Sequence, residues 1–139
     1  MKDSELLSLL KDLESDSVER KESMSHPDRI REAICAFAND LPGNQKPGVI
    51  FIGAKDDGSC SNLTIDDKLL LNLAAMRDDG LIQPFPSLEV KKKTLNGCKM
   101  AVVIVQPSLA PPHTLQGAHL GKSRSTAGYC HPGRGIAIG

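Results

Sequence analysis

Glu14, Glu19 and Lys21 stand close together near the start of the chain, and a second acidic pair, Asp56 and Asp57, opens a turn further along. These are residue types suited to phosphodiester chemistry. Carboxylates are hard oxygen ligands for Mg²⁺ or Mn²⁺, ions that activate water and clamp a phosphate. Lys21 follows Glu19 by two residues, so in an extended segment the two side chains share a face, where an ammonium can meet a phosphate. A strand beginning near Val18 and lying beside one that ends at Gly53 would bring the carboxylates together. The site read from these residues is catalytic Glu14, Glu19, Lys21, Asp56 and Asp57, with Glu14, Glu19 and Asp56 as metal ligands. The competing reading is a Glu19 to Lys21 surface pair and a solvated acidic turn, because acidic side chains are usually exposed.

A second set of residues points to the same ligand class. Formal net charge is zero, yet residues 1–67 hold 14 acidic and 8 basic side chains, whereas residues 68–139 hold 3 acidic and 9 basic. The chain is a charge dipole in sequence. After residue 85, Lys91, Lys92, Lys93, Lys99, Lys122, Arg124 and Arg134 face only Glu89, so one end offers a basic surface to phosphates. With Lys21, the lysines at 91, 92, 93 and 99 are the candidate nucleic-acid contacts. For Lys91 to Lys93 alone, a solvated strand edge guarded by lysines is an equal reading. ATP finds no motif: the Gly-Lys-Ser at 121–123 has no glycine at the Walker spacing and no strand before it. The nearest approach to a metal cluster by spacing, His119 with Cys130 and His131, reads better as plain tail.

Positioning these groups requires a mixed order of elements. Leucines at 6, 7, 9, 10 and 13 follow Asp3 and Ser4 as a short amphipathic helix with an acidic first turn. Residues 17–23 are bracketed by small polar residues and suit a short edge strand. Ser25 or His26 as cap and Pro27 at the first helical position start a second helix, whose apolar face is Ile30, Ala33, Ile34, Phe37 and Ala38 and whose end falls at 39–43. Residues 48–54 are continuously apolar and β-branched, the pattern of a central strand covered on both faces. Asp57-Gly58 marks a reversal, and Thr64 with Asp67 reads as an acidic capping box for a third helix running toward Gly80. Residues 87–94 and 98–106 flank Leu95-Asn96-Gly97, a strong hairpin signal. After Pro107 the sequence reads as loop or tail.

The bulk numbers set the frame. At 139 residues and 14.9 kDa the chain suits one domain. Hydrophobic residues at 40% and charged residues at 24% are those of a globular protein, and one Tyr, three Phe and no Trp demand an aliphatic core. No apolar stretch approaches the roughly 18 to 20 residues that span a bilayer. The N-terminus lacks the features of a secretory signal, so a cytoplasmic protein with no membrane partner is expected. Four widely spaced cysteines, Cys35, Cys60, Cys98 and Cys130, then read as reduced thiols, with Cys35 and Cys98 buried.

Several spaced strings occur in one order: Glu14 to Ser23 (ESDSVERKES), Ile34 to Asn39 (ICAFAN), Gly48 to Gly58 (GVIFIGAKDDG), Ile82-Gln83-Pro84 and Val102 to Val105. Together they resemble the Schlafen-type AlbA domain over roughly residues 14–112. The resemblance implies an α+β single domain, a mixed β-sheet with helices packed on it. It also implies a setting among DNA-binding transcriptional regulators and proteins described as ATP-binding. In eukaryotic Schlafen proteins a Glu, Glu, Asp set with a nearby Lys, like Glu14, Glu19, Asp56 or Asp57 and Lys21 here, resembles an endoribonuclease site. Two departures stand out. Residues 41–47 replace the family's Gly-Gly before the strand, and the ending after Pro112 lacks the expected Arg-rich strand.

Residues 113–135 can be back-translated so that dropping one base yields Arg-Thr-Trp-Val-Arg-Val-Gly, a basic pair and Ile-Ala-Thr-Pro, the ending such a domain would carry. The sequence therefore predicts three segments: an N-terminal helix at 1–13, the domain at 14–112, and an atypical tail at 113–139 set by a single-base frameshift near Pro112. A diverged natural tail is the alternative. Such a tail should pack poorly and leave a strand edge open to homodimerisation. The function expected is a nucleic-acid-binding regulatory module contacting the phosphate backbone of DNA or RNA. Alternatives are a Mg²⁺- or Mn²⁺-dependent endoribonuclease and a protein-interaction module docking through the N-terminal helix.

Overall fold

The computed structural model describes residues 1–40, 43, 45–108 and 112–115. In chain order the elements are α1 (Asp3–Lys11), β1 (Val18–Lys21), α2 (Pro27–Ala38), β2 (Gly48–Ile52), α3 (Asp67–Ala75), β3 (Ile82–Gln83), β4 (Leu88–Leu95), β5 (Cys98–Val105) and β6 (Thr114–Leu115). Four strands form one sheet in the order β1-β2-β5-β4, and β3 pairs with β6 in a second. β1 runs parallel to β2, while β2–β5 and β5–β4 are antiparallel. The domain is α+β with a mixed sheet, as the sequence predicts.

Every residue of β2 is buried, and its alternation sorts the core into two layers. Val49 and Phe51 join Leu6 and Leu10 of α1 with Met100, Val102 and Ile104 of β5. Ile50 and Ile52 join Ile30, Ile34, Leu69 and Leu73 of α2 and α3 with Ala101 and Val103. Gly48 begins β2 because its position is filled from outside: a Cβ there would run into the Phe37 ring. The β4–β5 hairpin turns through Asn96 and Gly97, both at positive φ (52° and 76°), which a type I′ turn requires.

α1 is fastened to its own sheet. Arg20 shares the α1-facing side of β1 with Val18, and its guanidinium donates to the carbonyls of Leu9 (3.2 Å), Leu10 (2.8 Å) and Asp12 (2.9 Å). They lie at and just past the end of α1, where a helix runs out of N–H groups for its last carbonyls; that of Leu9 also accepts from the Asp12 N–H. Leu6 and Leu10 are consequently spent inside the domain, so this face of the helix packs on its own sheet.

Three further expectations change. The α3 cap is Asp66, whose carboxylate accepts from the Leu69 N–H at 2.9 Å, so the helix starts later than a Thr64 capping box would place it. Cys35 and Cys98 are buried as expected. Cys60 and Cys98 are nevertheless joined in a disulfide, because a bridge between Ala54 and Cys60 folds the loop after β2 back to within 5.6 Å, Cα to Cα, of Cys98. His113 and Leu115 are buried rather than loosely packed. Asn39, at the end of α2, accepts from the His113 N–H and donates to its carbonyl at 3.0 Å, and His113 Nδ1 lies 2.7 Å from the Pro84 carbonyl. β6 follows at once. Residues 116–139, including His119, Lys122, Arg124, Cys130, His131 and Arg134, lie outside the described residues.

Candidate functional site

Parallel pairing of β1 with β2 makes both strands end on the same side of the sheet, and α2, which connects them, must begin there. The turn after β2 adds Asp56. The result is a groove of about 370 Å³ lined by Arg20, Lys21, Glu22, Ser23, Ser25, His26, Arg29 and Asp56. Pro27 occupies the first turn of α2 and His26 its N-cap position, with no side chain capping the helix. Ser25 is engaged with Ser23, their hydroxyls 2.8 Å apart. The first-turn amides of α2 thus carry the partial positive charge of a helix start into a groove that already holds cations.

The charges are not equivalent. Arg20 is committed to the α1 carbonyls. Lys21 lies 3.7 Å from Glu19, a loose pair about a quarter exposed and worth about 1 kcal/mol or less. Arg29 is exposed and has no ion-pair partner among the described residues. Glu22 and Asp56 are exposed acids on the groove's rim.

Sheet register extends this basic site. Lys21 is opposite Ile52, Ile52 opposite Ala101, and Ala101 opposite Lys92. Residues in register share a face, so Lys21 and Lys92 lie on one row, on the α2 side, three strand spacings or ~14 Å apart. Lys99, opposite Thr94, lies on the same face one step further along. Lys91 and Lys93 fall on the other face, the α1 side, where the Lys93 ammonium is 2.8 Å from Asp3 Oδ1. The five candidate nucleic-acid contacts therefore divide into Lys21, Lys92 and Lys99 on one face and Lys91 and Lys93 on the other.

The carboxylates divide as well. Asp56 shares the groove with Lys21. Glu14 sits exposed in the turn after α1, its N–H donating to Asp12 Oδ1 at 3.1 Å. Asp57 folds onto its own loop: the Ser59 hydroxyl (2.6 Å) and the Ser59 amide (2.9 Å) donate to Asp57 Oδ1 and hold its carboxyl below the usual carboxylate range. Among the described residues no three His, Cys, Asp or Glu side chains gather into a group able to hold a metal ion. Glu14, Glu19 and Asp56 are thus not among the described residues brought into such a group, and the Glu19 carboxylate lies instead beside Lys21. Arg29 and the serines of the groove were missed at the level of sequence. Their signal was Pro27, which fixes where a helix begins just after a strand ending in lysine.

A family profile described as Schlafen, AlbA_2 matches residues 14–127, running past Pro112, where the sequence reading ended the domain. No curated protein sequence matches the chain. Among solved structures, the chain is similar to the solution NMR structure of the N-terminal domain of a Nitrosomonas europaea protein described as related to the ATP-dependent DNA helicase RecG. The TM-score is 0.55 at 19% identity, over 79% of this chain and 75% of that one, a likeness of fold.

Proposed function

The chain belongs to the Schlafen, AlbA_2 family, and from that premise we propose that it is a nucleic-acid-binding regulatory module that holds a phosphate backbone. The observation that carries this reading is the placement of Lys21, Arg29, Lys92 and Lys99 around one end of the sheet, on the α2 face. A span of ~14 Å between Lys21 and Lys92 fits a few nucleotides of a strand, at about 3.4 Å of axis per nucleotide. Phe37 and Phe51 are buried, and Phe85, although exposed, is not among the residues lining the groove, so none of the three offers a base a stacking surface within it. Contact is therefore to phosphate, tolerant of sequence and sensitive to salt. Glu22 and Asp56 on the rim oppose an anion and keep affinity modest.

The test is an anisotropy titration of a labelled 12-nucleotide oligothymidylate, and of the matching RNA, at several salt concentrations. Binding that weakens linearly on a log-log plot, and that falls about tenfold in the Lys21→Ala, Arg29→Ala double variant, supports the reading. Binding indifferent to salt, or none at low salt, refutes it. Mn²⁺-dependent cleavage lost in Glu19→Gln at unchanged thermal stability would favour the nuclease instead.

A further inference from the structure

The opposite edge of the sheet carries a different surface. Among the described residues β4 pairs with β5 alone, so its outer row of backbone N–H and C=O groups is open. Beside that edge, α3 and β4 enclose a groove of about 410 Å³ lined by Asp67, Leu70, Leu71, Ala74 and Val90. Leu71 is 69% exposed, unusual for a large apolar side chain at a groove wall. On the other side of the same strand stand Lys91 and Lys93.

We infer that the β4 edge and its α3 groove bind an extended acidic peptide segment, which adds as a fifth strand. Strand alternation dictates what that segment looks like. Residues opposite Val90 face α3 and meet Leu70, Leu71 and Ala74, so they are apolar. Their neighbours face the α1 side and meet Lys91, and Lys93 in exchange for its pairing with Asp3, so they are acidic. Glu89, on that same face, disfavours an acid opposite itself. Main-chain hydrogen bonds supply affinity and the alternating side chains supply selectivity. A second copy of this chain is a poor occupant: centred antiparallel pairing of two β4 strands sets lysine against lysine, and directly opposed like charges destabilise a sheet. That argues against the homodimer expected from an open edge.

The probe is a fluorescein-labelled octapeptide alternating valine and aspartate, titrated into the full chain beside one alternating valine and lysine. The acidic peptide should bind and the basic one should not. Leu71→Asp should weaken binding at least tenfold at unchanged thermal stability, since that side chain is mostly exposed already. Lys91→Glu with Lys93→Glu should reverse the preference. Hydrogen exchange should show the outward-facing β4 amides, those not bonded to β5, protected only when peptide is added. Equal binding of both peptides, no binding, or outward-facing β4 amides already protected without peptide would overturn the inference. So would displacement by oligothymidylate with Leu71→Asp silent, which would give the lysines to phosphate.

Discussion

The two edges of the four-stranded sheet use the same residue type for different ends. At the β1 edge a four-residue strand is followed at once by the start of α2, so Lys21 looks into a polar groove with Arg29 and His26. At the β4 edge an eight-residue strand has β5 as its one strand partner among the described residues, its lysines alternating between faces and one of them tied to Asp3. A lysine's meaning is thus set by what backs it: a helix start and hydroxyls on one side, an apolar wall and an open backbone on the other.

The harshest way to break the comparison is to remove the strand that both edges depend on. Gly48→Val would push a side chain into the Phe37 ring, and a loss of about 3 kcal/mol or more is expected in urea denaturation. Next comes the fastening of the β1 edge. Arg20→Met removes a donor from the Leu9 and Leu10 carbonyls of α1 and from that of Asp12 just beyond it, and should cost about 2 kcal/mol, with exchange protection lost first in α1. The corresponding change at the other edge, Lys93→Met, removes one surface ion pair and should shift stability by about 0.5 kcal/mol or less. If Lys93→Met costs as much as Arg20→Met, the edges are not fastened differently. The smallest effect concerns the acidic turn beside the groove. Asp57 is held below its ordinary range by Ser59, so its contribution is complete above the ordinary carboxylate pKa and fades as pH falls through the lowered one. Ser59→Ala should move the Asp57 midpoint upward toward the ordinary value, read by NMR titration.

Much of this architecture was legible in the chain. β2 announced burial on both faces by its unbroken apolar run, Asn96-Gly97 specified the hairpin, and Pro27 marked the start of α2. What escaped was set by tertiary contacts. Thr114–Leu115 has no periodicity of its own and becomes a strand through Asn39's grip on His113. Nothing in the spacing of Cys60 and Cys98 tells of their pairing, which depends on how the loop after β2 folds back. In the site, Lys21 and Asp56 could be named from sequence. The hold of Ser59 on the Asp57 carboxylate could not be read there, since those hydrogen bonds arise only once the turn closes.

The central claim is that phosphate is held on the α2 face of the sheet, and its most direct test compares two double variants. Lys21→Ala with Lys92→Ala removes cations from that face, whereas Lys91→Ala with Lys93→Ala removes the same number from the other. Oligothymidylate titrations over a range of salt should show the first pair losing about tenfold in affinity, with the log-log salt slope reduced by roughly 1.4, at about 0.7 per phosphate contact. The second pair should stay within about twofold of the parent. Equal losses, or the larger loss in the Lys91, Lys93 pair, would contradict the account.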